Sequence, residues 1–132
     1  MKTIMSVGQC GPDHRSIERF LTETFHCTVI PSESTDQALS ELRKQRVDLV
    51  LVNRKLDSDY SDGTILIAKL KSEQALKDIP VMLISNYPEH QEAAVKLGAT
   101  KGFGKLALGL EETRERVARA LGLRFAAETR RV

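Results

Sequence analysis

Asn53, Ser85 and Lys105 each stand at or just past the end of a short apolar run, so one fold could bring them together. A lysine ammonium and a serine hydroxyl would offer an anion a fixed charge and a hydrogen-bond donor. Asn53 offers only a neutral amide. A lysine near a buried strand end needs partners, so Asn53 is expected to hydrogen-bond Lys105. Two readings of Lys105 and Ser85 stay open: a seat for a free anion, or internal bonds to Asn53 or a backbone carbonyl. After the first run comes Gly8-Gln9-Cys10-Gly11-Pro12-Asp13-His14. Cys10 lies near a helix start, where a thiolate could be favoured, but a small packing residue is the expected role. Asp13 is placed to cap the first helix; re-entry into the pocket is the alternative. Cys10, Asp13 and His14 assure too few ligands for a metal site, and none is expected. Asn86, beside Ser85, completes a pocket rim with Cys10 and Asp13.

The elements that must position these residues are legible as alternating patterns. β-rich apolar runs occur at Thr3–Val7, Cys27–Ile30, Val47–Val52, Val81–Ser85 and Ala99–Phe103. Two of them are almost continuously apolar, as strands covered on both faces are. The first helix reads from about Asp13 to Phe25, with Ile17, Phe20, Leu21 and Phe25 on one stripe. The second begins at Ser34, with Gln37 at capping-box spacing. The third runs from about Gly63 to Glu73. The fourth starts at Pro88 and stops at Gly98, and the fifth spans about Leu110 to Leu121 before Gly122. On the fifth, Glu112 with Arg116 and Glu115 with Arg119 stand in the favourable order for ion pairs.

The alternation implies an α/β fold: a flavodoxin-like, doubly wound sheet of five parallel strands in the order 2-1-3-4-5, with helices on both faces. Ligand sites in such sheets lie beyond the C-terminal strand ends, where the polar residues named above fall. At 132 residues the chain fits one domain, expected over residues 1–122 with a tail at 123–132 carrying Arg124, Arg130 and Arg131. A net charge of +2, from 20 basic and 18 acidic residues, gives no footprint for nucleic acid. No apolar run reaches membrane-span length, and Met1 to Val7 is no signal peptide, so a cytoplasmic location is expected. Cys10 and Cys27 have neither disulfide-framework nor metal spacing.

Val47-Asp48-Leu49-Val50-Leu51-Val52-Asn53, followed by Asp62-Gly63, resembles the third strand and loop of CheY-like receiver domains of bacterial two-component response regulators. Ile79-Pro80-Val81-Met82-Leu83-Ile84-Ser85 resembles their fourth strand, and Gly98-Ala99 with Lys105 their end. The resemblance covers nearly the whole chain. It implies that Asn53 occupies the position of the phosphoacceptor aspartate and that Gly8 and Gln9 occupy those of the acidic pair that helps hold Mg²⁺. Ser85 and Lys105 match the residues that bind phosphoryl oxygens. An amide is a poor nucleophile, and Mg²⁺ prefers carboxylates that Gly8 and Gln9 do not supply. The segment after strand one is one residue longer than the family pattern, and the loop from Asn53 to Gly63 about two longer. Leu106 stands where a proline usually follows the lysine. Gly102 stands where an aromatic residue often reports phosphorylation, with Phe103 expected to face the core instead.

The resemblance therefore implies a stand-alone, degenerate receiver: a signalling module, not an enzyme, without a cofactor. It would bind signalling proteins, such as a histidine kinase or another regulator, through the region Pro88 to Leu121. Two alternatives are a receiver phosphorylated at Asp57 or Asp59, and a ligand or redox sensor using Lys105 and Ser85 or Cys10. Oligomeric state is left open.

Overall fold

The computed structural model describes residues 1–123 of the chain. The arginine-bearing tail expected at 123–132 lies, Leu123 apart, outside the described residues. The elements follow in strict alternation: β1 (Lys2–Val7), α1 (Gly11–Thr24), β2 (Cys27–Ser32), α2 (Thr35–Leu42), β3 (Leu49–Asn53), α3 (Gly63–Ser72), β4 (Val81–Ile84), α4 (Pro88–Lys96), β5 (Thr100–Phe103) and α5 (Glu111–Ala120). A short 3-10 turn, Lys105–Ala107, links β5 to α5. The strands form one sheet in the order β2-β1-β3-β4-β5, and every pairing is parallel.

Alternate residues of each inner strand serve two separate cores, which is why β3 and β4 read as unbroken apolar runs. Met5, Val7, Val50, Val52, Val81 and Leu83 face α2, α3 and α4, meeting Leu39, Leu66, Ile67, Leu70 and Ala94. Ile4, Leu49, Leu51, Met82, Ile84 and Phe103 face α1 and α5, meeting Ile17, Leu21, Val117 and Ala118. Each such aliphatic side chain contributes about 1.5–3 kcal/mol by leaving water. Phe103 packs edge-on against Phe20 with ring centres 6.3 Å apart, as its strand parity required. β2 tolerates Pro31 because it is an edge strand, and it runs two residues past the expected end.

The helix ends follow local chemistry. Ser34 Oγ accepts from Gln37 N (3.1 Å), and Gln37 Oε1 accepts from Glu33 N (3.0 Å), so the capping box reaches one residue further back than its usual form. Asp62 caps α3 by accepting from Thr64 N at 2.9 Å. Gly122 ends α5 with φ +76°, a backbone state that costs glycine no steric clash. α1 departs from expectation. It begins at Gly11, two residues early, because Pro12 already has the φ of a first helical turn. Its N-cap is Cys10, which makes no side-chain capping bond, and Asp13 lies inside the first turn.

Candidate functional site

Parallel strands place their C-terminal ends on one side of the molecule. The pairings Val7 with Val52, Asn53 with Ile84, and Ile84 with Phe103 set those ends in one row. Gly8, Asn53, Ser85 and Lys105 follow directly along it. The shared location is as expected; the bonds among these residues are not.

Asn53 does not bond Lys105. Its Nδ2 donates to the backbone oxygens of Lys55 (2.7 Å) and Gly8 (3.4 Å). Two carbonyl acceptors on one side of the amide fix its orientation, since an oxygen there would be repelled. Lys105 Nζ instead donates to Asp13 Oδ2 at 2.7 Å. The expected capping role of Asp13 is thus corrected: the early start of α1 puts it in the first turn, facing the turn after β5. The hydrogen bond from Lys105 holds the Asp13 carboxyl below its ordinary range against the opposing effect of burial, with help from the Cys10 thiol. An acid at a helix N-terminus is also favoured by the helix dipole. Both side chains are about one-third exposed, so the pair is screened and contributes modestly to stability.

Gly8 has φ +75°, which strongly favours glycine. A β-carbon on it would lie 2.3 Å from Leu56 Cδ2, and Leu56 is wholly buried. The loop between β3 and α3 thus folds Leu56 over the end of β1, anchored by Asp57 N donating to Gly8 O at 2.9 Å. Both polar side-chain atoms of Gln9 are buried. Asp57 and Asp59 are exposed on the same loop and neither touches Lys105. Asp59 Oδ1 accepts from Ser61 N (3.0 Å) and Ser61 Oγ (2.6 Å), and these bonds lower its carboxyl pKa.

Ser85 does not face Lys105 as a partner either. Its Oγ bonds His90 Nδ1 at 2.7 Å and accepts from Tyr87 N at 3.3 Å. Asn86 Oδ1 accepts from Leu106 N at 3.2 Å, tying the loop after β4 to the turn after β5. Cys10 and Cys27 are free thiols. Burial raises the Cys27 pKa, which makes it a poor nucleophile. Among the described residues, no three His, Cys, Asp or Glu side chains form a metal-binding group, and no helix is long and apolar enough to cross a membrane.

No protein-family model and no curated protein matches this sequence. Solved structures do match. A candidate response regulator from Chloroflexus aurantiacus J-10-fl superposes with a TM-score of 0.80 at 20% identity, covering 92% of this chain and 98% of that one. The signal receiver domain of a DNA-binding response regulator from Colwellia psychrerythraea 34H gives 0.76 at 19%, covering 92% and 99%. The receiver domain of NtrX from Brucella abortus gives 0.72 at 24%, covering 90% and 98%. The chain has the receiver-domain fold.

Within that receiver fold, the seam between β4 and β5 is irregular. Met82 pairs with Thr100 and Ile84 with Phe103, so β5 carries an extra residue between the two pairs. Gln91, buried on α4, fills the break. Its Nε2 donates to Leu83 O (2.9 Å) and Ser85 O (3.1 Å), and its Oε1 accepts from Gly102 N at 2.8 Å. A β-carbon on Gly102 would lie 2.2 Å from Leu83 O, so no aromatic side chain fits at this position. Arg116 Nη1 donates to Gly102 O at 2.7 Å, which corrects its expected pairing with Glu112; Arg119 does pair with Glu115. Above this seam an open groove of about 700 Å³ runs between α4 and α5, lined in part by Tyr87, Val95, Phe103, Leu106 and Ala107.

Sequence reasoning missed Gln91, His90, Arg54 and Lys55. Arg54 and Lys55 could have been found, because they directly follow the end of β3. Gln91 carried no signal: it is one polar residue on a mostly polar helix, and a bulge is invisible without the partner strand.

Proposed function

We propose that this chain is a receiver-type signalling module that works without phosphorylation, by binding a signalling protein such as a histidine kinase or another regulator. The arrangement around residue 53 carries the reading. Where a phosphoacceptor would need a free carboxylate, Asn53 spends its amide hydrogens on two backbone carbonyls. Lys105 is engaged by Asp13, and the position that would carry the first acid is sealed by Leu56. Phosphoryl transfer onto an acid relies on a metal to neutralise charge building on the transferred group. Gly8 and Gln9 supply no anionic ligand for one. The irregular seam supports the same reading: Gly102 has no side chain to move, and Gln91 and Arg116 hold its backbone from α4 and α5. No catalytic role is assigned to any residue, and no cofactor is required.

The test is to incubate the protein with acetyl phosphate and Mg²⁺ and measure its intact mass, while following the amide shifts of Gly8, Gln9 and Asn53 during a Mg²⁺ titration. An unchanged mass and no saturable shift in the millimolar range are expected. Stoichiometric phosphorylation, at Asp57, Asp59 or elsewhere, would refute the proposal.

A further inference from the structure

The open groove of about 700 Å³ between α4 and α5 has the size of a small-molecule site. Its floor is β5, where Gly102 and Gly104 present bare backbone. A β-carbon on either would run into Leu83 O or Asn86 Oδ1, so no side chain at these positions fills the space between the two helices. We propose that the groove binds a free amino acid with a large apolar side chain. The inference goes beyond the signalling role proposed above and does not rest on it.

The lining is ordered along the groove. α4 and α5 both run away from the C-terminal strand ends, as helices that follow parallel strands do. The end of the groove nearest the strand ends is apolar, with Tyr87 and Pro88 at the start of α4 and Leu106 and Ala107 in the turn after β5. Further along, each helix carries an acid and then, one turn later, a cation: Glu92 before Lys96 on α4, and Glu112 before Arg116 on α5. Lys101, early in β5, stands at the same far end as the cations. Neither acid closes on the cation of its own helix, and Glu92, Lys96, Lys101 and Glu112 make no ion pair among the described residues. Arg116 is held to Gly102 O through Nη1, which leaves its Nε and Nη2 without partners among the described residues.

An amino acid carries the same order of chemistry: apolar side chain, ammonium, carboxylate. Laid along the groove with its side chain against Tyr87 and Leu106, it would set the ammonium between the two glutamates. Its carboxylate would reach Lys101 and the open edge of the Arg116 guanidinium, whose planar fork suits a carboxylate. Both signs are then matched. A simple anion of the same shape would leave the glutamates unmatched, and a simple cation would leave the lysines so. Complementary charge of this kind selects among ligands more than it adds affinity.

The experiment titrates the full chain with L-phenylalanine at fixed ionic strength, following backbone amides. Three analogues are titrated in parallel: 3-phenylpropionate, which lacks the ammonium, phenethylamine, which lacks the carboxylate, and L-alanine, which lacks the large apolar group. Saturable shifts at Gln91, Gly102, Leu106 and Arg116 are expected with phenylalanine. Each analogue should bind more weakly, by about threefold or more for the two that lack a charge, the loss of one exposed ion pair. Lys101→Gln should weaken phenylalanine and phenylpropionate and leave phenethylamine unchanged. Glu112→Gln should weaken phenylalanine and phenethylamine and leave phenylpropionate unchanged. Both positions are exposed, so folding is not at stake. No saturable shift with phenylalanine, shifts confined to residues outside the groove, affinity no higher than for the analogues, or a ranking that neither variant alters would each overturn the proposal. Acetyl-phosphate labelling bears on none of these outcomes, so the two readings stand or fall separately.

Discussion

A carboxylate at residue 53 would put an acceptor where Asn53 now donates to the oxygens of Lys55 and Gly8. Asn53→Asp, a change of almost no volume, should therefore destabilise the fold by about 1 kcal/mol, the low end of the cost of leaving acceptors set against each other, since the site is only half-buried. Urea unfolding at neutral pH checks this: a variant as stable as wild type would count against the geometry. The location of Asn53, Ser85 and Lys105 was readable from the chain because strand ends follow from hydrophobic patterning. Their partners were not. Lys105 meets Asp13 only because α1 starts at Gly11, and that start depends on how one proline and one glycine share a turn.

Alternation of apolar runs and amphipathic stretches is enough to order the five strands, because parallel pairing and right-handed crossovers leave few topologies. Helix ends were readable where a capping residue stands in sequence, as at Ser34, Pro88 and Gly122. The bulge in β5 was not, since it exists only relative to β4, and with it the role of Gln91 stayed hidden. Gln91 supplies a donor and an acceptor where the ladder between β4 and β5 is interrupted, so α4 is bonded to the sheet as well as packed on it. Gln91→Leu keeps the volume and removes those bonds. It should cost about 2 kcal/mol or more, since it leaves buried backbone groups unpaired, and it should speed hydrogen exchange at Gly102. Exchange at wild-type rate would show that the ladder closes without the amide.

For the molecule as a whole, binding surfaces are limited to what the packed layers leave uncovered. Tyr87, Val95, Leu106 and Leu110 are large apolar side chains left exposed on or beside α4, the turn after β5 and the start of α5. Leu106 is 87% exposed, which suits a contact residue and serves no core. If the partner docks here, Leu106→Glu and Arg114→Glu should each reduce its binding at least severalfold with stability within about 0.5 kcal/mol of wild type. Arg15→Glu on α1 should leave binding intact. A partner lost with the α1 change alone would place the interface on α1 instead.

The seat of Leu56 over Gly8 has a consequence for how such a protein can change over time. An acid cannot enter at residue 8 while Leu56 is in place, because the new side chain would start inside it and on a left-handed backbone. Trimming Leu56 first would leave a void beneath the loop, itself costly in stability. Either first step towards a metal-holding site passes through a weaker fold, and even both together leave a β-carbon at residue 8 only 3.0 Å from Leu56 Cα and 3.1 Å from its Cβ. The loop therefore acts as a ratchet: a lineage that has taken this arrangement is held in it by packing alone, whether or not selection still favours the function it serves.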